Sequence, residues 1–157
     1  MPTLATADQV RDLVRSFRVG VLTTVDEHYR LVSRPPMLTL GDEFTDMLWF
    51  AAPARSRVVA HVRSVAAVNI AFVTGKAWVS LAGAAAVRTD PDLVARLWTT
   101  DLALWLPEDA YLHEQIAILE VTVTEARFWR APGAVEQLVH LARSRTSAAP
   151  RTAGTEW

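Results

Sequence analysis

Short apolar and β-branched runs, separated by polar turns, recur along the chain and predict a structure made mainly of β-strands. The alternation is clearest late in the chain, where Val121 and Val123 alternate with Thr122 and Thr124. The predicted strands cover residues 19–25, 30–40, 47–52, 65–74, 76–89 and 115–129. The pattern therefore predicts a sheet of five or six strands.

Helical spacing of apolar residues predicts short helices beside these strands. Thr6 and Gln9 have the spacing of a capping box, and Asp90-Pro91 places an N-cap aspartate before a proline at the first helical position. Further helices are predicted over residues 54–63 and 134–142. The fold class is therefore mainly β with flanking helices (α+β), and we expect an antiparallel, barrel-like sheet. The sequence has no Gly-x-Gly-x-x-Gly motif and no regular strand–helix alternation, which disfavours a doubly wound nucleotide-binding fold.

The length of 157 residues indicates one domain, which we expect to span residues 1–143. Residues 144–157 are rich in alanine, serine, threonine, proline and arginine, and we expect a flexible C-terminal tail there.

Composition excludes several classes of function. With 51% hydrophobic and 21% charged residues the chain is globular, and a net charge of −1 provides no field that attracts nucleic acid or anionic lipid. The chain has no cysteine, so it has no disulfide or thiolate site, which fits a reducing cytoplasm. Its most apolar run, residues 65–73, is far shorter than the ~20 residues that span a bilayer. We expect a cytoplasmic protein that binds neither nucleic acid nor membrane.

Two basic segments form the most informative chemical feature. Arg34 stands beside Pro35 and Pro36, which interrupt a predicted strand, and Ser56 and Arg57 stand where a strand ends and a helix begins. A phosphate group needs guanidinium, hydroxyl and free backbone N–H donors, and a helix N-terminus supplies the last of these. These three side chains meet at one anion site if the two strands are neighbours. The alternative, which spacing alone favours, is surface arginines with a serine N-cap.

The other polar residues show no catalytic or metal-binding pattern. The four histidines are scattered without metal-ligand spacing, so we predict no metal site and expect each of them at the surface or at a helix cap. Each of the six tryptophans, taken singly, is expected in the core or at a dimer interface.

Several segments, taken in chain order, resemble the pyridoxamine 5′-phosphate oxidase-like flavoproteins, and in particular the branch called general stress proteins. The likeness covers residues 8–131. The segments that carry it are GVLTTVD at 20–26, LVSRPPM at 31–37, LWF at 48–50, SRV at 56–58, WVSLAGAA at 78–85, LW at 97–98, WLP at 105–107 and FW at 128–129.

The resemblance implies an antiparallel FMN-binding split β-barrel, a homodimer with FMN at its interface. It implies that Arg34, Ser56 and Arg57 hold the FMN phosphate, and that Trp105 or Trp129 closes the pocket from either subunit. The residues implied to line the isoalloxazine are Ser33, Pro35, Met37, Trp49, Phe50 and Ala51.

The sequence departs from the family in three places. Arg57 stands where the family usually has lysine, and His28-Tyr29 occupies a turn that commonly contains glycine. The chain also lacks the C-terminal Arg-x-x-His-like segment that true pyridoxamine phosphate oxidases use for substrate, so we do not expect that activity.

The resemblance leaves several functions open. The first is an FMN-dependent oxidoreductase of unknown substrate, with NADH or NADPH as electron donor. The alternatives are a non-catalytic flavin-binding stress protein, or the same barrel binding a deazaflavin or haem. For haem, His61 and His113 are the candidate axial ligands.

Overall fold

A computed structural model describes residues 6–16, 20–35, 37–39, 46–73, 75–98, 116–130 and 137–140. Within these ranges the chain forms three helices and eight strands. In chain order they are α1 (Ala7–Ser16), β1 (Gly20–Val25), β2 (Leu31–Arg34), β3 (Met37–Thr39), β4 (Met47–Pro53), α2 (Arg57–Ser64), β5 (Ala67–Val73), β6 (Ala77–Arg88), α3 (Pro91–Leu97), β7 (Ile116–Arg130) and β8 (Gln137–His140). None of the described helices is long and apolar enough to cross a membrane.

The strands form one antiparallel sheet in the order β2-β1-β5-β6-β7-β4-β3, and β8 pairs with β7 beside this path. The two end strands, β2 and β3, are consecutive in the chain and only two residues separate them. Two residues extend too little for the ends of a flat seven-strand row to be joined, because neighbouring strands lie about 4.8 Å apart. The sheet is therefore curled into a half-barrel, which confirms the predicted fold class.

The strand predicted over residues 30–40 is two strands that pair with different partners. Leu31–Arg34 pairs with β1, whereas Met37–Thr39 pairs with Trp49–Ala51 of β4. Proline cannot donate to a ladder, so the Pro35-Pro36 pair is where the chain leaves one end of the sheet and enters the other. The expected neighbour relation with the strand at 47–52 thus holds for the second half of the segment only.

The helix predicted over residues 134–142 is wrong, since Gln137–His140 forms β8 against Glu125–Phe128 of β7. On the edge of β7 where β8 pairs, β4 is the partner strand only up to Thr122. Beyond that point the backbone groups of β7 need another partner, and β8 supplies it. This long-range pairing outweighs a local helical preference that is marginal for so short a segment.

Local signals at the other helix starts are confirmed. The Thr6 amide donates to Gln9 Oε1 at 2.9 Å, and the Gln9 amide donates to Thr6 Oγ1 at 3.2 Å. The Asp90 carboxylate accepts from the Asp92 amide at 3.0 Å, with Pro91 at the first helical position. These caps fix where α1 and α3 begin.

Two apolar clusters lie on opposite faces of the sheet. The larger one fills the inside of the half-barrel, where α2 packs Val58, Val59 and Val62 against the strands. The smaller one lies under α3, where Leu93, Val94 and Leu97 contact Ala51, Ile116 and Ile118. Adjacent residues of β4 therefore belong to different clusters.

Candidate anion-binding site

The turn that connects β4 to α2 presents the start of a helix with unused donors. The Ser56 amide donates to the Pro53 carbonyl at 2.9 Å, which closes the turn and makes Ser56 the N-cap of α2. A serine at this position normally accepts from an amide of the first helical turn, yet the Ser56 side chain makes no such bond. In the described part of the chain its hydroxyl oxygen is buried and has no hydrogen-bond partner. Because the first amides of a helix have no partner within the helix either, this point offers several donors to an anion.

Arg34 brings a positive charge to the same region. It is paired with the buried Leu22 in the β1–β2 ladder, so its side chain lies on the core-facing side of the sheet. Its Nη1 is buried and forms no hydrogen bond to any described residue. Burial lowers the pKa of Arg34, but an arginine stays charged at any ordinary pH. A half-buried cation with an open donor is stabilised by binding an anion.

The Arg34 guanidinium contacts α2, the helix that Ser56 begins. Arg34 Nη2 lies 3.4 Å from Nδ1 of His61, which belongs to the last turn of α2. His61 follows Ser56 by five residues, which is about 7.5 Å along a helix axis. Arg57 is exposed at the first position of α2.

His61 was predicted at the surface or at a helix cap. It is buried instead, with 6% of the residue exposed. Its Nδ1 lies 3.0 Å from the hydroxyl oxygen of Thr24, which is also fully buried, and its Nε2 lies 3.9 Å from a carboxylate oxygen of Glu27. The sequence did contain a signal, because His61 follows Val58 by three positions and so shares the apolar face of α2.

Three of the residues expected to line a flavin ring lie on or beside β2 and β3. The Ser33 hydroxyl lies 2.9 Å from that of Thr23, on the face of β2 opposite to Arg34. Pro35 is exposed, and Met37 pairs with Ala51 in the β3–β4 ladder.

On β4 the predicted residues alternate between the two faces. Phe50 is 1% exposed and belongs to the cluster inside the half-barrel, so its side chain is committed to the core. Ala51 belongs to the cluster under α3, against which Trp49 packs.

Trp129 stands beside Trp78 in the β6–β7 ladder, and both side chains are on the outward face of the sheet. In sheet order β7 is four strands away from β2, so Trp129 is remote from Arg34 along the sheet. Trp105, His113 and the predicted tail at 144–157 lie outside the described residues. In the part of the chain that is described, no cluster of histidine, aspartate and glutamate could hold a metal ion.

The sequence matches the family described as "Pyridoxamine 5'-phosphate oxidase like" over residues 5–149. The chain belongs to the pyridoxamine 5′-phosphate oxidase-like family. No sequence among the curated proteins matches the chain.

Several solved structures share this fold. A protein from Clostridium acetobutylicum related to general stress protein 26 of B. subtilis is 18% identical with a TM-score of 0.70, over 82% of this chain and 91% of its own. An FMN-binding protein of the family from Nostoc punctiforme is 13% identical with a TM-score of 0.68, and the match covers 99% of this chain and 100% of that protein. A heme-binding protein from Mycobacterium smegmatis is 15% identical with a TM-score of 0.69, and the match covers 90% of this chain and 60% of that protein. The fold is therefore one that accommodates FMN in one relative and haem in another.

Proposed function

We propose that this chain binds FMN, and that the FMN phosphate is held by Arg34, Ser56 and the first amides of α2. The observation that carries the proposal is the pair of buried polar atoms, Arg34 Nη1 and Ser56 Oγ, that no described residue satisfies. Buried polar groups in folded proteins nearly always have a partner, so Ser56 Oγ at the start of α2 and Arg34 Nη1 beside the same helix support a ligand that accepts hydrogen bonds. Membership of the family and the FMN-binding protein from Nostoc punctiforme support a flavin as that ligand.

The residues fit a phosphate in charge as well as in geometry. Arg34 supplies a guanidinium that can donate two hydrogen bonds to a dianion, and Arg57 adds a second cation at the rim. The Ser56 hydroxyl can donate to the phosphate because it is not occupied in capping α2. Bound FMN would supply transfer of a hydride or of single electrons, and the protein would orient it and limit its contact with water.

We further propose an FMN-dependent oxidoreductase that is reduced by NADH or NADPH. No general acid or base stands out in the sequence, and reduction of a flavin by a nicotinamide requires none. Addition of either nucleotide to the FMN-loaded protein without oxygen separates the alternatives. Bleaching of the flavin supports an oxidoreductase, and a spectrum that neither nucleotide changes supports a non-catalytic flavin-binding protein.

A homodimer is proposed with the outward face of β1, β5 and β6 as its interface. Val21, Val73 and Trp78 on this face are 41%, 60% and 38% exposed. Large apolar side chains grouped on one face of a sheet are typical of an interaction surface.

Haem is the second candidate ligand, favoured by the heme-binding protein from Mycobacterium smegmatis. The described residues disfavour His61 as its axial ligand, because that ring is buried and both of its nitrogens face protein groups. A deazaflavin would share the phosphate chemistry and differ from FMN in its absorption spectrum.

The phosphate assignment is tested by titrating the protein with FMN and with riboflavin, which lacks the phosphate. Arg34→Met keeps the length of the side chain and removes its charge and donors. We expect it to weaken FMN binding about ten- to a hundredfold and to leave riboflavin binding unchanged, because a hydrogen bond to a charged group contributes about 1.5–3 kcal/mol.

Arg63→Met is the matched control, since Arg63 is exposed in the last turn of α2 and the substitution changes the net charge equally. It should leave the affinity for FMN within about twofold of wild type. Equal losses of FMN and riboflavin affinity in Arg34→Met would contradict the phosphate assignment.

A further inference from the structure

A buried polar cluster surrounds Nη2 of Arg34, the guanidinium nitrogen next to the one proposed to hold the phosphate. It consists of Thr24 on β1, Arg34 on β2 and His61 on α2, and it joins these three elements. His61 Nδ1 is the atom they share, at 3.0 Å from Thr24 Oγ1 and 3.4 Å from Arg34 Nη2. Glu27 lies at the rim, 3.9 Å from His61 Nε2.

The chemistry of the pair gives the direction of the contact with Arg34. A guanidinium only donates hydrogen bonds, so Nδ1 of His61 is the acceptor in this contact. The Thr24 hydroxyl, 3.0 Å from the same nitrogen, is then also a donor to it. His61 thus acts as an acceptor for one arm of the guanidinium.

The position of the other arm depends on this contact. An arginine side chain has several rotatable bonds, and ordering it costs up to about 2 kcal/mol. Holding Nη2 against His61 leaves Nη1 as the buried atom without a partner, which is the atom available to an anion. Part of the ordering is therefore complete before a ligand binds.

We propose that His61 is a positioning residue, which holds Arg34 so that its Nη1 is directed at the phosphate of FMN. This inference rests on the proposed function, because it assigns His61 a role in recognition of the same phosphate. His61 itself donates nothing to the ligand and acts only through Arg34.

Two variants separate this role from filling of the core. His61→Asn places an amide oxygen near the position of Nδ1 and so preserves the acceptor. His61→Leu fills a similar volume on the apolar face of α2 but removes the acceptor. A residue that only packs the core would tolerate leucine at least as well as asparagine.

The readout is the ratio of riboflavin to FMN dissociation constants, measured for wild type and both variants at one pH. We expect His61→Leu to reduce this ratio about tenfold and His61→Asn to retain most of it. An unchanged ratio in His61→Leu overturns the inference, and so does an equal loss in both variants.

If His61→Leu does not fold, His61→Gln replaces it. The glutamine amide oxygen falls near the position of Nε2, so this variant also removes the acceptor at the position of Nδ1. The ratio must then fall in His61→Gln and hold in His61→Asn, and equal ratios overturn the inference. A wild-type protein without preference for FMN over riboflavin overturns the proposed function and this inference together, whereas a preference that survives His61→Leu overturns only the inference.

Discussion

At the scale of single residues, the site depends on polar groups that the fold buries without using. The Ser56 hydroxyl is at an N-cap position but caps nothing, and Arg34 carries a charge on the core-facing side of a strand. The sequence alone left these residues open between an anion site and surface arginines with a capping serine. The structure shows that Ser56 makes no cap bond, which the sequence could not predict, because whether such a bond forms depends on the geometry of the turn.

Asp26 provides a contrast, since its buried carboxylate is fully satisfied. It accepts from the Arg30 amide at 2.9 Å, the His28 amide at 2.8 Å and Arg30 Nε at 2.8 Å. These bonds, with the Arg30 amide the strongest, lower the pKa of Asp26 from 3.8 to about 2. They also hold the β1–β2 turn, in which Tyr29 has a φ of 59°.

The lowered pKa predicts how this turn responds to acid. A carboxyl group whose pKa is depressed by folding stabilises the protein fully above its unfolded pKa, and this contribution is lost as the pH falls through the folded value. The difference in free energy of unfolding between wild type and Asp26→Asn should therefore be largest above pH ~5 and shrink as the pH falls from about 4 towards 2. Urea unfolding of both proteins at pH 6 and pH 3 measures it. A difference that is the same at both pH values would contradict the assigned role.

At the scale of elements, the sequence predicted those that local signals define and missed those that distant partners define. The caps at Thr6 and Asp90 and the strands β1, β4, β5, β6 and β7 lie close to their predicted positions. The error at β8 arose because its strand form depends on pairing with β7, whose partner residues Glu125–Phe128 come earlier in the chain. His61 was misplaced for a similar reason, because its partners on β1 and β2 come from other parts of the chain.

The β6–β7 ladder carries an irregularity that also depends on a distant contact. The register shifts between Ala82 and Gly83, and a Cβ atom at Gly83 would overlap the carbonyl oxygen of Thr122 on β7. The three nearest atoms are all backbone atoms of Thr122 and Val123, so room for a Cβ requires β7 itself to move.

We expect Gly83→Ala to reduce the free energy of unfolding by about 1–3 kcal/mol. Gly75→Ala is the control, since a Cβ there has no neighbour within 4 Å, and it should change the free energy by less than about 0.5 kcal/mol. Denaturant unfolding of the two variants gives both numbers. Equal stability of the two variants would show that the ladder accommodates the methyl group.

At the scale of the whole molecule, the curl of the sheet brings Arg34 to the helix that Ser56 begins. The strands β2 and β3, which end the strand order, follow each other in the chain, and Arg34 at the end of β2 contacts a helix that begins after β4. The same curl divides apolar side chains between an interior cluster and an outward face that remains exposed. From the sequence, the resemblance to a known family predicted a split β-barrel. Hydrophobic periodicity alone predicted only an antiparallel, barrel-like sheet.

The exposed outward face predicts the state of association. Wild-type protein should sediment as a dimer at micromolar concentration, and Val73→Glu should shift it to a monomer, because a charge would be buried in the proposed interface. Ala60→Glu is the control, since Ala60 is exposed on α2, which packs inside the half-barrel on the other side of the sheet. A wild-type monomer with its ligand bound would contradict the proposed interface.

The most direct test of the central claim is the identity of the ligand that the folded protein retains. The purified protein, incubated with FMN if it is colourless, is washed and denatured, and the released pigment is identified by absorption and mass. Binding through Arg34 and Ser56 predicts FMN, retained in preference to riboflavin offered at the same concentration. Release of haem, or a protein that binds neither flavin or shows no preference for the phosphorylated one, would contradict the account.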